Sequence, residues 1–497
     1  MSGISRRGFL KGIAAGAAGV AARGLLPGAK VLGANDDLRI AVVGFKSRGM
    51  NHIESLLKIK GVRIVALCDV DPHVLSSTQK TLEEKHKTKV DATYSDIRKL
   101  LESKEIDAIT TATPNHWHSL IGIWACQAGK DAYIEKPISH NVWEGGQLVK
   151  AARKYNRIVQ GGSQSRSSSK IAEAIEWIKA GNIGAIKLGR GLCFKPRQSI
   201  GKVGTGEIPA GLDYDLWCGP APKVPLKRKN LHYDWHWVYD TGNGDMGNQG
   251  IHQMDVARWM IGENELSPRV MSIGGRLGYE DDGETPNTQF VYHAYEKAPL
   301  IFETRGLPKG KEFQTSELWT KNMDSAPGVE GNASGIGVVI ECAGGKVYVS
   351  AGGSAAAYDQ SGKKMKDFAG QKDEVEHMQN FIDAVRSRKP EMLKAECKET
   401  HLSSALCHTG LISHRLGQAA KPGEILEKIK SDAVAEAGFD AMKEHLGKNG
   451  VDLDKTPLAL GPWLKFDPKT ERFIDNDAAN AMLTRDYRKG FEVPKEV

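Results

Sequence analysis

The chain of 497 residues lacks the features that mark disulfide-rich, zinc-binding and membrane-spanning proteins. Its seven cysteines are an odd number with no Cys-x-x-Cys pair, which argues against a disulfide framework or a zinc knuckle. Beyond the first 34 residues, no apolar run approaches the roughly 18 to 20 residues of a membrane helix. Hydrophobic residues make up 40% of the chain and charged residues 26%, proportions typical of a soluble globular protein.

The chain also has little charge of one sign once its first residues are set aside. The formal net charge is +7, but residues 1–34 contain five lysines and arginines and no acid, so the remainder carries +2. A body so close to neutral gives no reason to expect nucleic acid or an anionic membrane surface as a partner.

Residues 1–34 are predicted to be an export signal. Residues 5–11 resemble the twin-arginine consensus, and the Gly/Ala-rich residues 12–22 form the weakly apolar stretch that such signals carry. A disordered basic tail is the alternative. No cysteine lies near residues 33 and 34, which argues against a lipoprotein anchor. The sequence therefore predicts a periplasmic or secreted protein that the twin-arginine machinery exports already folded.

A strand, a glycine turn and a helix open the body of the chain. Residues 38–43 are an apolar strand, Gly44 and Gly49 bound the turn, and a helix is predicted at residues 52–59. This order forms a dinucleotide cradle, because backbone N–H groups and the helix N-terminus face the pyrophosphate. Lys46 stands where the fingerprint usually has its middle glycine. The motif alone is therefore a weak signal.

An acid follows the second predicted strand, residues 62–68. Asp69 comes twenty residues after Gly49, where a carboxylate binds the adenosine ribose hydroxyls and repels a 2′-phosphate. The alternative is a turn former before residues 71 and 72. If Asp69 binds the cofactor, its carboxylate favours NAD over NADP.

Short apolar strands then alternate with helices as far as residue 160, with a turn predicted at residues 113–118 and the next helix at residues 119–128. This alternation predicts a doubly wound parallel α/β sheet of the Rossmann type, whose ligands lie at the carboxyl ends of its strands. Gly44, Asp69, residues 113–116 and Lys136 all occupy such ends. Lys136 ends a buried strand, where a lysine is costly unless its ammonium has a role, although pairing with Glu135 is the plain alternative.

These motifs together resemble the Gfo/Idh/MocA family, the relatives of glucose-fructose oxidoreductase and inositol dehydrogenase. The resemblance rests on the glycine cradle, Cys68-Asp69-Val70-Asp71, Ala112-Thr113-Pro114-Asn115-His116 and Glu135-Lys136-Pro137. It implies that Lys136 contacts the nicotinamide ribose and a substrate hydroxyl. The predicted cofactor contacts are Gly44, Phe45, Lys46, Arg48, Gly49, Asp69, Thr113, Pro114, Asn115, His116, Glu135 and Lys136.

The second half of the chain changes in rhythm. Consecutive strands with little helix between them predict an α+β domain with a largely antiparallel open sheet. The predicted domains are the NAD-binding domain at 36–160, a substrate and oligomerisation domain at 161–420, and an extension at 421–497. We expect the extension to pack back on the body or a neighbouring subunit, and the protein to be a homo-oligomer.

Residues 244–259 carry the predicted catalytic group. If they are helical from Met246, then Asp245, Asn248, His252 and Asp255 fall on one face. A helix N-cap is the alternative for Asp245, and a core histidine is the alternative for His252. The family pattern is D-x-G-x-H, with the histidine as general base. His252 matches it, but Asn248 replaces the aspartate and cannot stabilise an imidazolium as a carboxylate would.

Residues 231–237 predict a sugar subsite, because aromatic rings stack on the C–H faces of a sugar while polar groups bind its hydroxyls. The spacing of His232 and His236 also fits a metal pair, but no third ligand stands in register, so no metal is predicted. The predicted substrate contacts are Gln164, Arg166, His232, Tyr233, Trp235, His236 and Asp255.

The sequence thus predicts an exported NAD-dependent oxidoreductase that acts on a sugar-like small molecule and holds its cofactor tightly. Lys136, Asn248 and His252 are its predicted catalytic residues. Two alternatives remain open. One is a glycosidase or lyase that oxidises its sugar transiently, and the other is a non-catalytic carbohydrate-binding protein. The sugar and the carbon that reacts are not specified by the sequence.

Overall fold

A computed structural model describes residues 37–315, 317–329, 333–371 and 373–497. The predicted export signal, residues 1–34, lies outside the described residues. Two sheets organise the rest of the chain, one in each of the two predicted folded domains.

The first sheet has six parallel strands in the order β3-β2-β1-β4-β5-β6, which confirms the predicted Rossmann topology. Its central strands are almost wholly buried, as expected for a sheet with helices on both faces. The strands are β1 (Leu38–Val43), β2 (Val62–Cys68), β3 (Ala92–Tyr94), β4 (Ala108–Thr111), β5 (Asp131–Ile134) and β6 (Val159–Gly161).

The helices that connect these strands are α1 (Arg48–Leu56), α2 (Pro72–His86), α3 (Ile97–Glu102), α4 (Asn115–Gln127) and α5 (Val142–Lys154). Asp71 caps α2 by accepting hydrogen bonds from the backbone N–H groups of His73 and Val74. The prediction that residues 113–118 form a turn is wrong from residue 115 onward, because α4 already begins at Asn115.

The second sheet has twelve strands and is largely antiparallel, as predicted, with one parallel pairing between β7 and β10. Its main path is β14-β13-β12-β11-β7-β10-β9-β8-β16-β15. The strands are β7 (Ile186–Cys193), β8 (Arg269–Gly275), β9 (Thr288–His293), β10 (Leu300–Arg305), β11 (Ile336–Cys342), β12 (Gly345–Ser350), β13 (Ala355–Asp359), β14 (Lys364–Asp367), β15 (Gln418–Ala420), β16 (Leu458–Leu460), β17 (Leu464–Asp467) and β18 (Arg472–Phe473).

Helices pack on both faces of the second sheet. On one face, Met254 of α8 belongs to the same buried cluster as Phe302, and on the other, Phe439 of α12 packs with Phe290 and Ile301. The helices of this half are α6 (Ser169–Lys179), α7 (Tyr214–Cys218), α8 (Ile251–Ile261), α9 (Glu374–Ser387), α10 (Cys397–Arg415), α11 (Pro422–Ile429), α12 (Ala433–Lys448) and α13 (Asp477–Ala481).

The C-terminal segment packs against both parts of the body. Strand β16 pairs with β15 and β8, so residues beyond 421 extend the second sheet. Phe491 contacts Trp117 of the first domain edge-on, with ring centroids 5.6 Å apart. The segment predicted as an extension therefore supplies strands to one sheet and core residues to the other domain.

No helix in the described ranges is long and apolar enough to cross a bilayer. All seven cysteines lie within those ranges, and each is buried and unpaired.

Candidate active site

A cavity of about 320 Å³ opens at the carboxyl edge of the first sheet, where ligands of doubly wound sheets bind. One wall comes from strand ends of the first domain and the other from irregular segments of the second. We call them the cofactor wall and the substrate wall. The cofactor wall includes Gly44, Phe45, Lys46, Arg48, Asp69, Thr113, Pro114, Asn115, His118, Glu135 and Lys136, and the substrate wall includes Trp217, His232, Tyr233, Trp235, His236 and Asn248.

The turn after β1 has the close approach that a dinucleotide requires. Gly44 has φ +70°, and a Cβ there would lie 2.8 Å from Cγ2 of Thr113. A Cβ at Gly49 would lie only 2.1 Å from the Gly44 carbonyl oxygen. Both positions therefore need glycine, and α1 begins beside them, as in a pyrophosphate cradle. These residues fit a dinucleotide.

Asp69 lies at the end of β2 and is partly exposed to the cavity. Its two carboxylate oxygens accept hydrogen bonds from the backbone N–H groups of Phe45 at 3.3 Å and Asp71 at 3.0 Å. Burial raises the pKa of Asp69, while these two N–H groups oppose the shift. The carboxylate is thus fixed in position beside the cradle, where it meets the predicted ribose.

Glu135 is buried, and hydrogen bonds to it hold the cofactor wall together. Its carboxylate accepts from Arg48 at 2.8 Å and from Gln164 at 3.0 Å, and its Oε1 lies 3.2 Å from Nε2 of His52. Burial alone raises the pKa of Glu135, but the Arg48 charge and the His52 contact outweigh it and hold the pKa well below its usual range. Gln164 also donates to the Tyr133 hydroxyl, so its amide binds the wall, whereas a substrate contact was predicted.

Because α4 already begins at Asn115, His118 lines the cavity and His116 does not. His116 is buried between the carbonyl oxygens of Trp217 at 3.0 Å and Thr241 at 3.3 Å and is not among the lining residues, so the predicted cofactor contact is not formed by its side chain. His118, which sequence reasoning missed, lines the cavity instead. Its Nδ1 lies 2.6 Å from the Pro137 carbonyl oxygen, and its Nε2 lies 2.7 Å from that of Thr113.

His118 therefore ties the end of β4 to the end of β5. A helix that starts at Asn115 places position 118 one turn above its N-terminus, over the strand ends. The Pro114-Asn115 pair could have predicted the position of His118, since a proline is common just before or within the first helical turn. Asn115 faces the second domain, where its amide donates to Oδ1 of Asn243 at 2.9 Å.

Lys136 links the two walls. Its ammonium donates to the backbone carbonyl oxygen of Asn248 at 2.6 Å. Burial lowers the pKa of Lys136 to about 8. Glu135 opposes this shift, whereas Arg48 and two cations of the second domain, Arg197 and Lys195, add to it. The ammonium makes no ion pair with an acid of the described chain at salt-bridge distance.

A π-turn at Met246–Gly250 precedes α8 and changes the phase of the predicted catalytic helix. The α-helix predicted from Met246 begins only at Ile251, and the two acids bind different arginines: Asp245 pairs with Arg197 and Asp255 pairs with Arg166. A π-turn adds a residue to the turn, which regular helical spacing does not anticipate, and such turns are frequent at functional sites. Asn248 lines the cavity, and His252, the second residue of α8, is partly exposed and is not among the lining residues.

Arg166 and Asp255 are not brought to the cavity. Nε of Arg166 lies 2.8 Å from the Asp255 carboxylate, and both residues are buried. Asp255 also accepts a 2.6 Å hydrogen bond from Ser403, and Arg166 reaches Glu399 at 3.3 Å. This network joins α8 to α10, which gives both residues a role in packing in place of the predicted substrate contact.

Four residues of the aromatic segment, His232, Tyr233, Trp235 and His236, line the substrate wall. The His236 ring stacks on Trp235 with centroids 3.6 Å apart, and its Nδ1 lies 2.5 Å from the Tyr233 carbonyl oxygen. Burial lowers the pKa of His236 to about 3, so the ring is neutral near pH 7. His232 meets Asp71 at 2.8 Å and connects the segment to the cofactor wall.

Arg197 contacts the substrate wall from outside the set of lining residues. Its guanidinium makes two hydrogen bonds to Asp245, at 3.0 Å and 2.6 Å, and lies over the Trp237 ring at 5.1 Å. It also donates to the Tyr233 hydroxyl at 3.0 Å. Asp245 therefore anchors an arginine and makes no side-chain helix cap.

Comparisons with known proteins agree with this architecture. Residues 38–163 match the NAD-binding Rossmann domain of the Gfo/Idh/MocA oxidoreductase family, and residues 191–301 match the family's C-terminal alpha/beta domain. The chain belongs to the Gfo/Idh/MocA oxidoreductase family. Membership makes the glycine cradle and Asp69 parts of an NAD-binding domain.

Curated proteins of similar sequence match only part of this chain. Glycosyl hydrolase family 109 protein 2 of Shewanella sp. (strain ANA-3) is 33% identical over 174 aligned positions, and the match covers 31% of this chain and 38% of that protein. The family 109 protein of Shewanella pealeana is 32% identical over 125 residues, which are 24% of this chain and 27% of that protein. The matches thus span well under half the length of these relatives.

Solved structures share the fold across most of this family member. WlbA dehydrogenase from Bordetella pertussis, in complex with NADH and UDP-GlcNAcA, has a TM-score of 0.54 at 19% identity over 76% of this chain and 97% of its own. Myo-inositol 2-dehydrogenase from Lactobacillus plantarum has a TM-score of 0.50 at 18% identity over 76% of this chain and 96% of its own. At these identities the likeness is one of fold.

Proposed function

We propose that this protein is an exported NAD-dependent oxidoreductase that transfers a hydride between a carbinol carbon of a sugar or polyol and nicotinamide. The observation that carries the proposal is the position of Lys136. Its backbone follows β5 of the NAD-binding domain, and its ammonium reaches the Asn248 carbonyl of the second domain at 2.6 Å. One cation thus lies where the cofactor cradle meets an aromatic and polar wall suited to a sugar.

Two features support NAD as a tightly held cofactor. Asp69 presents a fixed carboxylate beside the cradle, which suits ribose hydroxyls and repels a 2′-phosphate. Residues 1–34 resemble a twin-arginine signal, which exports proteins already folded, and no ready pool of free NAD exists outside the cytoplasm. A cofactor that is bound before export and recycled within each turnover agrees with both features.

The residues of the two walls divide the remaining tasks. When bound, NAD accepts or returns the hydride. Lys136 holds the substrate oxygen, and Asn248 orients the same hydroxyl from the cavity wall. His252 is partly exposed, lies four residues after the cavity-lining Asn248, and accepts the hydroxyl proton in this proposal. His236 binds the sugar beside Trp235 and stays neutral.

The similarity to glycosyl hydrolase family 109 proteins favours a second candidate function. A glycosidase that oxidises its sugar transiently, cleaves the glycosidic bond and reduces the product again would use the same walls. It would release no NADH. The two candidates therefore differ in the net reaction and share the site.

One experiment on the purified, exported protein tests both candidates. The protein is denatured, released nucleotide is identified by mass, and fresh protein is assayed with sugars and with glycosides. We expect bound NAD and, with free sugars, a change in absorbance at 340 nm. Glycoside cleavage without net NADH would establish the second candidate. A protein that contains no nucleotide and ignores added NAD would refute both and leave carbohydrate binding.

A further inference from the structure

The cavity runs along the carboxyl edge of the first sheet, past the ends of β1 to β5. Asp69 follows β2, Ser95 follows β3 and Lys136 follows β5, and all three line the cavity. Strands β1 and β4 lie between β2 and β5, so the ends of β2 and β5 are roughly 14 Å apart at the usual strand spacing. If nicotinamide lies beside Lys136, the adenosine of the same NAD lies at the Asp69 end of the cavity.

A segment of the second domain, residues 211–219, lies at this adenosine end. It includes α7, and its Leu216 and Trp217 line the cavity. We call residues 211–219 the α7 segment. Its Asp213 N–H donates to the carbonyl oxygen of Val70, just beyond β2, at 3.4 Å. Leu216 is only partly buried by the protein itself. The α7 segment therefore brings an apolar side chain from the second domain to the end of β2.

A second set of contacts joins the α7 segment to α4. Nε1 of Trp117 donates to the carbonyl oxygens of Leu216 at 3.2 Å and Trp217 at 3.1 Å. A Cβ at Gly219 would lie 2.2 Å from the Trp117 ring, so the two elements are in close contact. Leu216 also packs against the apolar cluster that contains Trp117 and Ile97, and both of these residues line the cavity. The α7 segment thus spans the cavity from the end of β2 to α4.

The C-terminal residues fix the α7 segment in this position. Nη1 of Arg488 donates to the carbonyl oxygens of Asp215 at 2.9 Å and Gly219 at 3.2 Å. The nearby Tyr487 hydroxyl donates at 3.0 Å to the buried carboxylate of Glu144 in α5. The same short stretch of chain is therefore bound to the first domain and to the α7 segment.

We propose that the α7 segment forms the adenine subsite of the NAD site and retains the cofactor between turnovers. This inference rests on the proposed function and adds the residues that hold the cofactor in place. Leu216 and Ile97 line the cavity at the same end as the fixed carboxylate of Asp69. Apolar side chains of this kind bury the faces of an aromatic ligand, while a few polar groups fix its orientation. Because the C-terminal residues hold the α7 segment, NAD leaves only when these contacts between the domains open.

The rate at which NAD leaves the loaded protein tests the proposal without relying on turnover. NAD-loaded protein would be mixed with an excess of isotopically labelled NAD, and the exchange would be followed by mass. We expect Leu216→Ala to exchange about ten-fold faster than the wild type, because adenine loses apolar contact. Leu216→Met should restore slow exchange, since methionine has a similar volume. Leu426→Ala is the matched control, because this leucine is also half-buried but belongs to α11, away from the cavity lining.

A second pair of variants tests the role of the C-terminal residues. Arg488→Met should speed exchange by about ten-fold, because the hydrogen bonds that hold the α7 segment are lost. Lys489→Met is the matched control, since this lysine is the exposed neighbour of Arg488. Exchange at the wild-type rate in Leu216→Ala would overturn the adenine subsite, and exchange of the wild type within seconds would overturn cofactor retention. A wild type that contains no NAD and takes up none would refute the proposed function itself.

Discussion

The cofactor wall and the substrate wall differ in how they hold their charged groups. In the cofactor wall, Glu135 accepts from Arg48 and Gln164, and Asp69 accepts from two backbone N–H groups. Where the two walls meet, Lys136 donates to the Asn248 carbonyl oxygen of the substrate wall and forms no ion pair with an acid of the described chain. The other charges of the cofactor wall hold that wall in shape, whereas the ammonium of Lys136 is placed to meet a ligand.

The two ends of β5 give the strongest test of this difference. Lys130 and Lys136 flank the strand, both donate to backbone carbonyl oxygens, and burial lowers the pKa of each. We expect Lys136→Met to lower kcat/KM by about 10³-fold, because the cation that holds the substrate oxygen is lost. Steady-state kinetics and the NAD content by mass would measure the effect.

Lys130→Met is the matched control, since its ammonium donates to the Ser103 and Ile106 carbonyls away from the cavity. That variant should lose stability and keep kcat/KM within a few-fold per molecule of folded protein. Equal losses of activity in the two variants would show that Lys136 acts only through packing.

The buried pair Arg166–Asp255 belongs to neither wall and gives the next largest effect. Asp255→Asn should lower the free energy of unfolding by about 3 kcal/mol, because it removes the closer of the two counter-ions of a buried guanidinium and leaves only the more exposed Glu399. Urea denaturation would measure this loss. KM for the sugar should stay unchanged in the folded variant. A large rise in KM would mean that Asp255 contributes to substrate binding.

The cofactor wall was largely predictable from the sequence because strands and helices alternate regularly there. Each apolar run ends at the same edge of a parallel sheet, so Gly44, Asp69 and Lys136 were placed together without coordinates. The exception is His116. A helix that starts a few residues earlier than predicted turns this side chain to the second domain and brings His118 to the cavity.

The substrate wall was less predictable because irregular backbone builds it. A π-helical turn precedes α8 in the predicted catalytic segment, and no periodic pattern signals such a turn. The pairing of Arg166 with Asp255 joins residues 89 positions apart and depends on tertiary packing.

Variants of two histidines of the second domain would separate proton transfer from sugar binding. We expect His252→Gln to lower kcat by about 10²-fold with little change in KM, because a general base contributes at least that much. His236→Gln should mainly raise KM, since its ring stacks beside Trp235 in the cavity wall. Steady-state kinetics separates the two patterns. A reversed pattern would make His236 the proton acceptor.

The smallest expected effect concerns the charge on Lys136 without substrate. Burial lowers its pKa from the ordinary 10.5 to about 8, so below pH 8 both the folded and the unfolded protein carry the proton. Between pH 8 and 10.5 the unfolded protein keeps a proton that the folded protein has lost. The free energy of unfolding of the wild type therefore rises with pH in this window, relative to a variant without the lysine.

Urea denaturation of the wild type and Lys136→Met at pH 7 and pH 10 would measure this linkage. Taking the difference between the two proteins cancels the titration of all other groups. Below pH 8 the wild type carries the full cost of a buried ammonium, and this cost should shrink by roughly 2 to 3 kcal/mol at pH 10. A difference that is the same at both pH values would mean that Lys136 titrates normally. The burial of Lys136 between the two walls would then have no effect on its charge in the protein without ligand.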